Sequence, residues 1–193
     1  MSMEALVFDA YGTLYDVHSV AQPCESCFPG KGVQLSQLWR AKQLECTWHA
    51  VWMQRYVPFS QVTREALAYA CAALSLHLGP HRKALMSEYL HLVPFPEVPA
   101  ALERLEMKRA ILSNGSPDLL DPLVRNSGLR FDAVLNVDEV KVYKPAPQVY
   151  GLAVHRLKAS KERIGFVSSN CWDALGAKSP RLPRTAAPGR KHG

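Results

Sequence analysis

Four short segments of the chain end in side chains that could do covalent chemistry on a small molecule. FDAYGTLYD, residues 8–16, sets Asp9 between an apolar run and a turn containing Gly12. A carboxylate in that place can act as a nucleophile, and the backbone N–H groups of the turn can gather beside it to hold an anionic substrate group. Thr13 is spaced to hydrogen-bond Asp9 or to close the loop. LSNGS supplies the Ser113 hydroxyl and the Asn114 amide, VYKP supplies Lys144, and FVSSNCWD supplies Ser168, Asn170 and Asp173. Singly these are weak signals: an aspartate can cap a turn, a lysine before proline is usually solvated, and SSN is usually a turn. Four polar endings on successive parallel strands are harder to dismiss, because the fold gathers them at one rim.

The elements that must position them follow from the apolar pattern. ALVFD at the N-terminus, RAILSN (109–114), FDAVLNV (131–137) and RIGFVSSN (163–170) are each too short for a helix and end in polar or small residues. They read as buried strands, the first ending at Asp9. Helical patterns lie between them over roughly 117–127 and 146–158, the second opening with Lys144-Pro145, whose proline fixes the start. This alternation predicts an α/β fold with a doubly wound, Rossmann-like parallel sheet, which binds ligands at the carboxyl ends of its strands. Residues 15–96 break the alternation and predict an inserted α-helical cap. The expected division is a core of residues 1–14 plus 97–178, a cap of 15–96, and a disordered basic tail of 179–193.

One cap segment, Leu35 to Tyr56, predicts a helix that is apolar on two sides. Leu35, Leu38, Trp39, Cys46, Met53 and Tyr56 share one side, interrupted by Lys42 and His49, and Leu44, Trp48, Val51 and Trp52 share the other. Two apolar sides need two partners, so a homodimer is expected.

Composition narrows the function classes. The net charge of +6 invites a nucleic-acid reading. Five of the basic residues, however, fall between Ala177 and Gly193, and without them 18 basic residues face 17 acidic ones. The body is near neutral and carries no evident basic stripe, so no nucleic-acid partner is expected. No apolar run approaches the roughly 18–20 residues of a membrane span, and no basic region precedes a long apolar stretch at the N-terminus. Neither a membrane nor a signal peptide is expected, and the cytoplasm is the expected compartment. Cys24 and Cys27 have the spacing of half a zinc site, but no second pair completes it. The five cysteines therefore read as reduced thiols, with no metal and no cofactor.

Taken together, FDAYGTLYDVHSV, LSNGSP, VYKP and FVSSNCWD resemble the ordered motifs of the haloacid dehalogenase superfamily, most closely its type II L-2-haloacid dehalogenases. The resemblance runs from about residue 3 to residue 177. It implies that Asp9 is the nucleophile, with Thr13 as its loop partner. By the same resemblance Ser113 holds the substrate carboxylate, Arg40 of the cap receives the departing halide with help from Asn114, and Lys144 steadies Asp9. Tyr150, Ser168, Asn170 and Asp173 match supporting positions around the hydrolytic water, while Tyr11, Leu44, Phe59 and Trp172 match the apolar walls of the pocket.

The residues themselves favour a dehalogenase over a phosphatase or phosphonatase. Phosphatases of the superfamily usually place a second Asp two residues after the nucleophile, to protonate the leaving group and help hold magnesium; here that position is Tyr11. Chloride or bromide leaves without a proton, so no general acid is needed. It does need a positive, partly desolvated acceptor, a role that suits Arg40, while Lys144 supplies a fixed positive charge in place of a metal. The expected reaction is attack of Asp9 on C2 of a small L-2-haloacid, release of halide, and hydrolysis of the resulting aspartyl ester to the D-2-hydroxyacid. The family pattern continues after GAK at 176–178 with a further strand and helix, whereas this chain passes into SPRLPRTAAPGRKHG. That change resembles a replaced or frame-shifted end. It is expected to leave the edge of the GFVSS strand unpaired and so raises a weakly active or inactive homologue as an alternative.

Overall fold

The computed structural model describes residues 2–179. From Pro180 onward the expected basic tail lies outside the described residues. Four parallel strands form one sheet: β1 (Ala5–Phe8), β2 (Lys108–Ser113), β3 (Ala133–Asn136) and β4 (Ile164–Val167), in the order β3-β2-β1-β4. Register explains why their ends meet. Phe8 pairs with Ile111 on one side and Val167 on the other, and Ser113 pairs with Asn136. The chain therefore leaves β1 and β4 side by side, with the Asp9 N–H donating to the Val167 carbonyl at 2.9 Å. Ala5, Val7, Ala110, Ile111 and Leu112 are wholly buried, as strands covered on both faces require.

The flanking helices begin and end on local signals. α6 (Pro117–Ser127) opens on Ser116 with Pro117 in its first turn and stops at Gly128, whose φ of 70° is the left-handed conformation that glycine adopts freely. α7 (Pro147–Leu157) opens on Pro147, not on Pro145 as the Lys144-Pro145 pair suggested. Both prolines fit a first turn, and the turn that carries Lys144 inward delays the helix to the second. α5 (Val98–Glu103) precedes β2, and α8 (Cys171–Lys178) follows β4 and lies against it and α7.

Between Asp16 and Val93 the chain is helical: α1 (Ala21–Cys27), α2 (Gly32–Trp52), α3 (Phe59–Ala73) and α4 (Arg82–Glu88). It leaves and re-enters the sheet layer through two paired segments. The Asp16 N–H donates to the Val93 carbonyl at 2.8 Å, and the Phe95 N–H to the Leu14 carbonyl at 3.0 Å.

Within this single chain α2 buries Gly32, Leu35, Ser36, Trp39, Gln43, Thr47 and Ala50, a stripe with a polar centre. It includes Leu35 and Trp39 of the first side expected to be apolar, while Leu44, Trp48 and Val51 of the second are half-buried and Trp52 and Met53 are exposed at 75% and 60%. What differs from expectation is that Ser36, Gln43 and Thr47 lie inside. The stripe is selected by hydrogen bonds to α3: Trp39 Nε1 donates to the Thr63 carbonyl at 2.8 Å, and Gln43 Nε2 to Thr63 Oγ1 at 2.7 Å. A polar residue satisfied in this way can occupy a core position that hydropathy assigns to its neighbours.

β4 is one of the two edge strands of the described sheet and is only half-buried, in keeping with the expected open edge. A cleft of about 670 Å³ opens beside it, lined in part by Val7, Leu112, Ala153, Ile164 and Phe166, and Tyr150 is the only expected site residue on its wall.

The close approach of α8 to α7 depends on Gly176. A Cβ there would fall 2.4 Å from the Tyr150 hydroxyl and 2.8 Å from Pro145 Cβ. Gly→Ala in a free helix stabilises by about 1 kcal/mol, but here the added methyl must displace a held side chain, an overpacking cost of about 1–3 kcal/mol. Gly176→Ala is expected to lower Tm by several degrees in calorimetry. An unchanged or raised Tm would show that α8 shifts freely.

Candidate active site

The rim formed by the strand ends is organised around a fully buried lysine. Lys144 Nζ donates to Asp9 Oδ1 at 3.1 Å and to Asp173 Oδ2 at 2.8 Å, and Lys144 and Asp173 are wholly buried. An ammonium without water needs matched charge, and it has two carboxylates from different elements. Its backbone N–H donates to Asn114 Oδ1 at 2.9 Å, so the end of β2 also fixes it.

Asp9 is held at both oxygens. Oδ2 accepts from Thr13 Oγ1 at 3.1 Å and from Asn170 Nδ2 at 2.9 Å. Asp173 is held by Tyr150, whose hydroxyl donates to Oδ1 at 2.7 Å and to the Asp173 carbonyl at 3.1 Å. Burial pushes the Asp173 carboxyl above the usual carboxylate range, and the Asp9 charge adds to this; Lys144 and the Tyr150 hydrogen bond oppose it. Burial also pushes the Tyr150 phenol well up, so it stays a donor.

Ser113, wholly buried, accepts the Gly115 N–H at 3.0 Å. Because Asn114 spends its oxygen on Lys144, its Nδ2 is the end left to donate. Ser168 accepts the Asn170 N–H at 3.2 Å and so shapes the turn after β4. The turn after Asp9 differs in part from expectation. The N–H groups of Thr13, Leu14 and Tyr15 donate to the Ala10 carbonyl, and that of Gly12 to the Tyr15 carbonyl at 2.8 Å. These four amides close the turn on itself and are spent there; those of Ala10 and Tyr11, next to Asp9, are not among them. Gly12, at φ 88°, makes that closure possible.

The helical insert brings Arg40 from α2. Its Nη2 donates to the Tyr11 carbonyl, two residues from Asp9, at 3.3 Å, and it forms no ion pair among the described residues. Tyr11 and Phe59 are buried with ring centroids 5.4 Å apart. Trp172, half-buried on α8, meets Trp48 of α2 edge-on at 5.8 Å. Leu44 is half-buried one turn beyond Arg40 and is placed only by its helix. The structure thus gathers Asp9, Thr13, Lys144, Tyr150, Asn170 and Asp173 into one hydrogen-bonded group, with Ser113, Asn114, Ser168 and Arg40 tied to its loops.

Two residues that touch this group were missed. The Ser169 N–H donates to Thr13 Oγ1 at 3.0 Å and its hydroxyl to the Gly12 carbonyl, closing the turn after Asp9 against the loop after β4. In SSN the sequence does not say which serine turns toward Thr13. Gln43 accepts from Arg40 Nη1 at 2.6 Å, and its spacing of three residues along a helix was a usable signal. Cys24 and Cys27, the half zinc site, lie on α1. Burial pushes the Cys24 thiol up to about 12 and the Cys27 thiol upward too.

A Rossmann-like parallel sheet that presents a lysine-bound aspartate at the carboxyl end of a central strand, beneath a helical insert carrying an arginine without an ion pair among the described residues, is the arrangement of one class of hydrolase. A family model described as haloacid dehalogenase-like hydrolase matches residues 3–179. The chain belongs to that family. It is 50% identical over 182 residues to an (S)-2-haloacid dehalogenase of Pseudomonas sp. strain YL, covering 91% of this chain and 78% of the relative. It is 46% identical over 183 residues to haloacetate dehalogenase H-2 of Moraxella sp. strain B, covering 92% and 82%. The solved L-2-haloacid dehalogenase of Xanthobacter autotrophicus with chloropropionic acid covalently bound superposes with a TM-score of 0.88 at 46% identity, covering 91% of this chain and 74% of that one.

Lys144→Met tests the buried charge group. Removing one partner of a buried pair costs about 3–5 kcal/mol, and the deficit at pH 7 should be of that order in urea denaturation. Its pH dependence has a definite sign. Lys144 opposes the upward push on Asp173, so without it that pKa rises further. A carboxyl whose folded pKa exceeds its unfolded one contributes stability below the unfolded value and loses it as pH rises through the folded value. The deficit should therefore shrink at pH 5. Equal deficits at both pH values would contradict this account of the site.

Proposed function

We propose that the chain is a hydrolytic dehalogenase that converts short L-2-haloacids to D-2-hydroxyacids through an ester on Asp9. The observation that carries this reading is a carboxylate fixed at both oxygens, with Lys144 as its counter-ion and an arginine free of carboxylates tethered beside it. One Asp9 oxygen attacks C2 opposite the halogen; the new C–O bond forms as the carbon–halogen bond breaks, and the centre inverts. The halide departs toward Arg40, assisted by the free Asn114 Nδ2, while the Ser113 hydroxyl binds the substrate carboxylate. Water then attacks the ester carbonyl of Asp9; one of its protons passes to the released hydroxyl oxygen and the other leaves to solvent as the Asp9 carboxylate is restored. Asn170, Ser168, Lys144, Asp173 and Tyr150 hold the carbonyl and the water. Tyr11, Leu44, Phe59 and Trp172 wall the pocket, which favours a small, partly apolar acid. The relatives named above support the same activity.

Residues 1–14 plus 97–178 form the core and 15–96 the cap, a division supported by the paired crossings at 14–16 and 93–95. The five free thiols support a cytoplasmic setting. The exposed Trp52 and Met53 at the end of α2 support a homodimer through that end. Light scattering should report a dimer that Trp52→Glu dissociates, and a monomeric wild type would remove the dimer from the scheme.

Wild type is expected to release halide from L- but not D-2-chloropropionate in the absence of added metal, and Asp9→Asn is expected to release none. In heavy-oxygen water, a single turnover should place solvent oxygen in the Asp9 side chain. Label passing straight into the hydroxyacid would exclude the ester. Magnesium-dependent phosphoester turnover in place of halide release would mark a phosphatase.

A further inference from the structure

The arginine that faces the leaving group is anchored by a group without charge. Gln43 is wholly buried and accepts from Arg40 Nη1 at 2.6 Å. Its Nε2 donates to Thr63 Oγ1 at 2.7 Å, and the Thr63 hydroxyl donates to the Phe59 carbonyl at 2.7 Å. The Tyr89 hydroxyl approaches the same Gln43 oxygen at 3.5 Å. This chain can run in only one direction. A guanidinium only donates, so Gln43 must present its oxygen to Arg40 and its amide to Thr63. Thr63 then accepts from Gln43 and gives its own proton to Phe59.

We propose that Gln43 is a positioning residue for dehalogenation. It fixes the Arg40 guanidinium over the departing halide while leaving its positive charge uncancelled. The inference rests on the reading of Arg40 given above. A carboxylate at position 43 would orient the guanidinium equally well but would neutralise it. An apolar side chain would leave both the charge and its freedom to turn away. A neutral acceptor, itself locked by Thr63, does neither harm. The second tether, from Nη2 to the Tyr11 carbonyl, belongs to the nucleophile turn, so the two bonds together set the cap arginine in register with Asp9.

The test is a double-mutant cycle read by single-turnover bromide release from L-2-bromopropionate, with a thermal melt of every variant. Gln43→Met and Gln43→Glu are each expected to slow release about 10–100-fold when Arg40 is present and less than about 2-fold in an Arg40→Ala background. Thr63→Val, one bond further along, should give a smaller loss with the same dependence on Arg40, and it serves if a Gln43 variant does not fold. Equal losses in both backgrounds would make the role merely structural and overturn the inference. So would a Gln43→Glu enzyme of undiminished rate. A wild type that releases no bromide would instead overturn the reading of Arg40 itself, and the inference with it.

Discussion

A single buried ammonium sets the geometry on which the rest of the site depends. Lys144 is wholly enclosed, and its charge is bearable there only because Asp9 and Asp173 meet it from two directions. Those carboxylates stand at the end of β1 and in the first turn of α8, and the lysine precedes α7. Its backbone N–H is claimed by Asn114 at the end of β2. Three strand–loop–helix junctions thus converge on one residue, and none can drift without stranding a charge. The same requirement explains Tyr150. Burial raises Asp173, and a phenol that stays protonated supplies the hydrogen bond that keeps its ionised form in balance with the lysine.

The strand ends were legible because apolar runs of four to six residues, closed by polar or small ones, have few other fates in an alternating chain. Since the fold itself brings such ends together, four motifs far apart in sequence could be assigned to one rim before any geometry was known. α2 was less legible for a definite reason. Hydropathy counts side chains by type, whereas the face that α2 buries is chosen by what Thr63 can accept and offer. Gln43 lies inside while Met53 lies in water. The turn after Asp9 was legible only in part. Gly12 announced an unusual backbone, but the destination of the neighbouring N–H groups depends on where the Ala10 and Tyr15 carbonyls fall. Ser169 was hidden by its neighbour, since two adjacent serines look alike until the loop after β4 decides which one meets Thr13.

Charge is divided between the two layers in a way that fits the proposed chemistry. On the sheet side two carboxylates share one ammonium, an arrangement that is net negative when both are ionised and keeps one oxygen-rich group ready to donate electrons. On the helical side Arg40 is positive and meets only neutral acceptors among the described residues. A substrate lying between them places its carbon against the electron-rich layer and its leaving group toward the electron-poor one. That polarity follows the movement of charge during displacement, from carboxylate through carbon to halide, and fixed charges so arranged favour the transition state over the bound substrate.

In the proposed reaction Tyr11 bears on which leaving groups the site would release. Its hydroxyl is buried without a hydrogen-bond partner among the described residues, and burial drives its pKa upward. A phenol that holds its proton so tightly is a poor acid. It occupies the position where a phosphatase of the superfamily would place the carboxyl that protonates an alkoxide. The ring instead packs against Phe59 and Tyr89, with centroids 5.4 and 6.1 Å away. In the proposed reaction a wall of this kind offers the leaving group no proton. It therefore suits a group that is stable as an anion, which the tethered Arg40 would receive.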